Sequence, residues 1–238
     1  MKSLYCILIL IFTGEKQIAL QPGFKCYSNM TEQSDKSYTF LCLGDSYTIG
    51  EGVPFFENFP SQVVQMARKS GIPFQAPEIV AKTGWTTNEL QAAIKKHQFL
   101  ASYDFVTLLI GVNNQYRNLS IKEYESEFES LLKDAIVYAG GKRDHVIVLS
   151  IPDWGITPFA AGRDSKKIAD EIDSFNNVNK MIAEKFKTHH INITPGTREA
   201  ANDSALITSD GLHPSAKEYT RWAEKIFSII RSSLSKQN

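Results

Sequence analysis

Tyr38-Thr39-Phe40-Leu41-Cys42-Leu43 runs directly into Gly44-Asp45-Ser46-Tyr47-Thr48-Ile49-Gly50. The first six residues read as a buried β-strand, and the next seven place a serine, flanked by glycines, just past the strand's C-terminal end. Outward from there, short β-rich runs alternate with longer amphipathic stretches, the pattern of a parallel sheet covered by helices on both faces. Strands are predicted over 38–43, 78–82, 105–110, 146–150 and 191–194. Helical periodicity predicts helices over 59–69, 87–99, 121–139, 168–189 and 216–234. Strict alternation of five strands and five helices gives an α/β class: a three-layer α/β/α sandwich, flavodoxin-like, with a five-stranded parallel sheet. Residues 152–167, with two prolines and two glycines, form the longest internal loop.

Composition narrows the function. With 238 residues, 42% hydrophobic and 22% charged, the chain can bury one sizeable core. Lys plus Arg and Asp plus Glu both number 26, so no net field favours nucleic acid, an anionic membrane surface or a polyanion. Three cysteines, Cys6, Cys26 and Cys42, suggest neither a disulfide framework nor a zinc site. Met1-Lys2-Ser3 followed by nine apolar residues has the shape of a secretory leader, too short to span a bilayer. That reading predicts export to the periplasm or medium; the other is an apolar strand in a cytoplasmic protein. Residues 13–36 are polar and without period, which sets a leader and linker over 1–36 and the domain over 37–238. Later apolar runs are strand-sized, so no stable membrane span is expected. Oligomeric state has no sequence signal.

Three more loops carry chemistry. The second strand ends at Thr83-Gly84-Trp85 and the third at Gly111-Val112-Asn113-Asn114. The separations from Ser46 to Gly84 and from Gly84 to Asn113 each fit one helical crossover, so all three loops meet at the sheet edge where ligands bind in open α/β folds. Near the C-terminus comes Asp210-Gly211-Leu212-His213-Pro214, with the proline suited to the first turn of the last helix. The three-residue spacing brings Asp210 close enough to orient the imidazole through Nδ1, leaving Nε2 for the serine. His97, His145, His189 and His190 lack such a carboxylate and read as structural or solvated.

Together these blocks resemble the SGNH (GDSL-type) hydrolase family, named for a Ser, a Gly, an Asn and a His in four separated blocks. Gly44-Asp45-Ser46 matches the first, Gly84 the second, Gly111-Val112-Asn113 the third and Asp210-Gly211-Leu212-His213 the last. The resemblance implies a serine esterase in which Ser46 attacks the carbonyl, His213 is general base and Asp210 orients it. It implies an oxyanion hole from the N–H groups of Ser46 and Gly84 and the amide of Asn113, with no metal or organic cofactor. Many members carry an aspartate where this chain has Asn114. Asp45, Trp85, Asn114, Asp153 and Trp154 are the further candidates for substrate contact, Asp153 equally as a turn cap and Trp85 equally as packing.

The expected partner is a small-molecule or carbohydrate ester. Residues 114–118, Asn-Gln-Tyr-Arg-Asn, predict a hydrogen-bonding wall and so a polar leaving group, Trp85 and the loop over 154–159 offer one apolar or stacking wall, and no long apolar insertion is present to act as a lipase lid. Short-chain esters, acetyl or butyryl, are therefore expected. The alternatives are a lysophospholipase or thioesterase on longer chains and a non-catalytic carbohydrate-binding module. A flavodoxin-like nucleotide or flavin binder leaves Asp210 and His213 unexplained.

Overall fold

Every residue of the first strand, β1 (Phe40–Asp45), is buried, because a strand covered on both faces must be apolar on both. The computed structural model describes residues 37–236; the expected leader and linker, 1–36, lie outside the described residues. The other strands are β2 (Glu78–Lys82), β3 (Phe105–Leu109), β4 (Val146–Leu149) and β5 (His189–Ile191). All pair in parallel, in the order β2-β1-β3-β4-β5, so the α/β/α sandwich with the flavodoxin-like order is realised. The chain leaves β1 for one edge and, after β2, returns to β3 on the other side of β1. That switch point opens a crevice at the C-terminal ends of β1 and β3, where Ser46 and Asn113 lie.

Eight α-helices are described: α1 (Ser46–Ile49), α2 (Phe59–Lys69), α3 (Thr87–Ile94), α4 (Val112–Tyr116), α5 (Ile121–Tyr138), α6 (Ser165–Phe186), α7 (Thr194–Arg198) and α8 (Ala216–Ser235). On α8 the apolar positions Tyr219, Trp222, Ala223, Ile226 and Ile230 recur at helical spacing and are buried. They pack on α2, with the Phe59 ring 6.4 Å from Tyr219 and 6.1 Å from Trp222. In the other helical layer α5 and α6 meet through Tyr124 and Phe175, 4.7 Å apart. Side chains satisfy the free N–H groups at helix starts: Asn58 accepts from Ser61 N, Ser120 from Glu123 N and Asp164 from Lys167 N, while Thr86 and Glu89 form a capping box. No helix among the described residues is long and apolar enough to cross a membrane.

The expected sheet and the five long helices are present, with shifted ends. The helix expected over 168–189 stops at Phe186 because Lys187 takes a left-handed conformation, φ 58°, and β5 begins at His189 rather than at 191. The helix expected to reach 99 ends at Ile94. Three helices of one turn, α1, α4 and α7, were not expected, being too short to show a period.

Gly44 is the tightest point of this frame. A methyl group there would lie 2.5 Å from the Leu109 carbonyl of β3 and 2.0 Å from Thr48 Oγ1. Overpacking of that kind costs about 1–3 kcal/mol. Gly44→Ala should therefore lower Tm by roughly 2–12 °C in a thermal melt; a wild-type Tm would contradict the close contact of β1, α1 and β3.

Candidate active site

Ser46 is the first residue of α1, and its neighbour Asp45 caps that turn: Asp45 Oδ1 accepts the Tyr47 N–H at 3.0 Å. At the other end the Gly50 N–H donates to the Ser46 carbonyl at 3.1 Å. The serine is thus held on a single rigid turn at the crevice.

The facing loop is closed by one carboxylate. Asp210 Oδ1 accepts the N–H groups of Leu212 (2.8 Å) and His213 (2.9 Å) and the Thr208 hydroxyl (2.7 Å). Its Oδ2 lies 2.6 Å from His213 Nδ1, and His213 Nε2 lies 3.0 Å from Ser46 Oγ. Burial raises the Asp210 carboxyl, but the hydrogen bonds from the His213 side chain and backbone, Thr208 and Leu212 outweigh it and hold the group well below the usual carboxylate range. An ionised carboxylate only accepts, so Nδ1 carries the proton, and in the neutral ring Nε2 is left to accept from the serine hydroxyl. Pro214 is not the first helical residue as expected; it bridges to Ile207, and α8 begins two residues later at Ala216.

Oxyanion candidates lie beside this chain. Asn113 Nδ2 donates to the Trp85 carbonyl at 3.0 Å and meets Asp45 Oδ2 only at 3.5 Å, so one of its two hydrogens is nearly free. Gly84 has φ 83°, which suits glycine, and its N–H bonds no other described residue. Arg117 Nη2 donates to the Gly84 carbonyl at 2.5 Å while Nη1 pairs with Glu89, fixing this loop.

Ser46, Asn113 and His213 open onto a pocket of about 110 Å³ walled by Tyr47, Val112, Tyr116, Trp154, Phe159 and Leu212. Of the five expected substrate contacts, only the Trp154 side chain lines it; its Nε1 donates to Gln115 Oε1 at 2.7 Å. The other four do not line this pocket. Asp45 is buried as the cap of α1. Asn114 is buried with its amide spent on Thr87, accepting from its N–H and donating to its hydroxyl, a dual role an ionised aspartate could not fill. Asp153 is buried, capping the Gly155 N–H and paired with Arg198 at 2.8 Å. Trp85 offers its carbonyl to Asn113 and packs its half-buried ring on the core. Of the segment 114–118, Tyr116 alone lines the pocket, Gln115 is buried, and Arg117 stands beside Gly84. No cluster of three His, Cys, Asp or Glu able to hold a metal occurs among the described residues.

A model of the GDSL-like lipase/acylhydrolase family matches residues 42–221. Among solved structures, TesA superposes with a TM-score of 0.62 at 18% identity, over 82% of this chain and 98% of that one. Axe2, an acetylxylan esterase from Geobacillus stearothermophilus, gives 0.63 at 20% identity over 81% and 94%. A lipase/acylhydrolase from Enterococcus faecalis gives 0.63 at 19% identity over 82% and 96%. Such identities show a common fold. No curated protein matches the sequence.

Burial pushes the Asp45 carboxyl up to about 7, against the lowering effect of the Tyr47 and Asp45 N–H groups and the Asn113 amide. A folded value above the unfolded one, about 3.9, means that the group's contribution to stability is complete below pH 4 and is lost as pH rises through 7. Asp45→Asn keeps an oxygen to cap Tyr47 but does not titrate. Its Tm, measured against wild type by circular dichroism, should gain on wild type steadily from pH 4.5 to 7.5; parallel curves would mean that Asp45 is ionised throughout.

Proposed function

Because the chain belongs to the GDSL-like lipase/acylhydrolase family and so is a carboxylic ester hydrolase, we propose that it cleaves short-chain acyl esters through an acyl-enzyme formed on Ser46. The observation that carries this reading is the unbroken relay from Asp210 through His213 to Ser46, with links of 2.6 and 3.0 Å, ending at the pocket. His213 Nε2 takes the hydroxyl proton as Oγ attacks the ester carbonyl, and Asp210 stabilises the imidazolium that results. The developing oxyanion is met by the N–H groups of Ser46 and Gly84 and by the Asn113 amide. The imidazolium then returns the proton to the departing alkoxide, and a water activated by the same His213 releases the acid.

Pocket size supports the acyl preference. A cavity of about 110 Å³ is smaller than the roughly 150 Å³ that admits benzene, which suits acetyl to butyryl groups. Acetylated carbohydrates present such a group on a polar alcohol and are the first natural substrates to try. The apolar walls also suit a longer hydrocarbon leaving through the mouth, so a long-chain acyl hydrolase is the second reading. A series of p-nitrophenyl esters separates them: kcat/KM should peak at two to four carbons, and a maximum at twelve or beyond favours the second.

Ser46→Ala and His213→Ala should each lower kcat by roughly 10⁴–10⁶, because the two groups act in one step. Asn113→Ala should lower it by roughly 10²–10³, mainly in kcat. Folded Ser46→Ala that keeps most of its activity would falsify the assignment.

A further inference from the structure

Arg163 lies outside the pocket, yet it touches three of its walls. Its guanidinium carbon is 5.1 Å from the centre of the Tyr116 ring, 5.1 Å from that of Trp154 and 5.8 Å from that of Phe159. Its Nη2 also donates to the Tyr116 hydroxyl at 3.3 Å. Among the described residues no carboxylate pairs with it. The rings contact one another as well, at 5.2 Å for Tyr116 and Trp154 and 6.0 Å for each with Phe159.

These walls are not equally fixed. Trp154 is buried and anchored through its indole N–H to Gln115. Tyr116 and Phe159 are large, 38% and 42% exposed, and stand at the pocket mouth. Phe159 sits on a short turn tied through its N–H to the Gly211 carbonyl, in the loop that carries His213. Arg163 itself has a rigid base, since its N–H donates to Ala160 and the next residue, Asp164, caps α6. A flat guanidinium can stack on several rings at once, which a lysine ammonium cannot do as well.

We propose that Arg163 is the positioning residue that sets acyl-chain selectivity: it pins Tyr116 and Phe159 over the mouth, so that the pocket stays short. This inference rests on the Ser46-dependent hydrolysis proposed above. Without the guanidinium the two rings swing outward and a longer chain can pass. The chemical step is untouched, because Arg163 contacts none of Ser46, His213, Asp210 or Asn113.

The test is the ratio of kcat/KM for p-nitrophenyl octanoate to that for p-nitrophenyl acetate, in wild type, Arg163→Ala, Phe159→Ala and Ser46→Ala. A ratio within one preparation does not depend on how much of the protein is folded. Arg163→Ala should raise it by roughly tenfold or more, since even one methylene in an apolar pocket is worth about tenfold. Phe159→Ala should shift it the same way, and an unchanged ratio there overturns the proposal even if Arg163→Ala does not fold. An unchanged or lowered ratio overturns the role of Arg163; if Ser46→Ala is inactive in the same assay, the hydrolase reading survives that failure. An active Ser46→Ala overturns both.

Discussion

In a parallel sheet wound in the order β2-β1-β3-β4-β5, the connections after β1 and β3 depart to opposite sides, and the backbone cannot fill the gap between them. Two of the candidate catalytic groups are placed by that constraint. Ser46 follows β1 and Asn113 follows β3, with Gly44 and Leu109 paired across the two strands just before the gap. The third partner comes from far along the chain. His213 reaches the crevice because α8 packs against α2 through Phe59, Tyr219 and Trp222, so an aromatic core contact fixes a buried hydrogen bond at the pocket.

Two aspartates adjoin the candidate catalytic groups, and their surroundings push them in opposite directions. Asp45 is sealed in the core, where burial outweighs its hydrogen bonds and favours the neutral acid. Asp210 is partly exposed, and four hydrogen bonds to its two oxygens outweigh burial and favour the carboxylate. Only an ionised Asp210 forces the Nδ1 tautomer on His213, which turns Nε2 into an acceptor. Asp45 contributes by shape: it caps the one-turn helix that presents Ser46 and stands behind the Asn113 amide. Divergent environments of this kind are how one site obtains different work from like groups.

What could be read from the sequence follows from range. Ser46, Gly84, Asn113, Asp210 and His213 each stand at a strand end or turn marked locally by glycine or proline, so their positions on the sheet edge were legible. The wall was not. Tyr116, Phe159 and Arg163 meet only because two loops fold over each other, and no spacing along the chain announces such a contact. Asn114 looked like a ligand group because it follows Asn113, yet its partner is Thr87, 27 residues earlier. Helix ends failed for a different reason: no glycine or proline directly follows Phe186, and the left-handed Lys187 that stops α6 has no residue-type signal.

The proposed acyl-enzyme requires that Ser46 become covalently bonded to the acyl carbon, driven by the relay through His213. Reaction with a fluorophosphonate, followed by mapping of the adduct by mass spectrometry while residual ester hydrolysis is measured in the same sample, tests it most directly. A single adduct is expected, on Ser46, accumulating in step with the loss of hydrolysis. Full labelling of Ser46 with hydrolysis intact, or inactivation with the adduct on another residue, would contradict it.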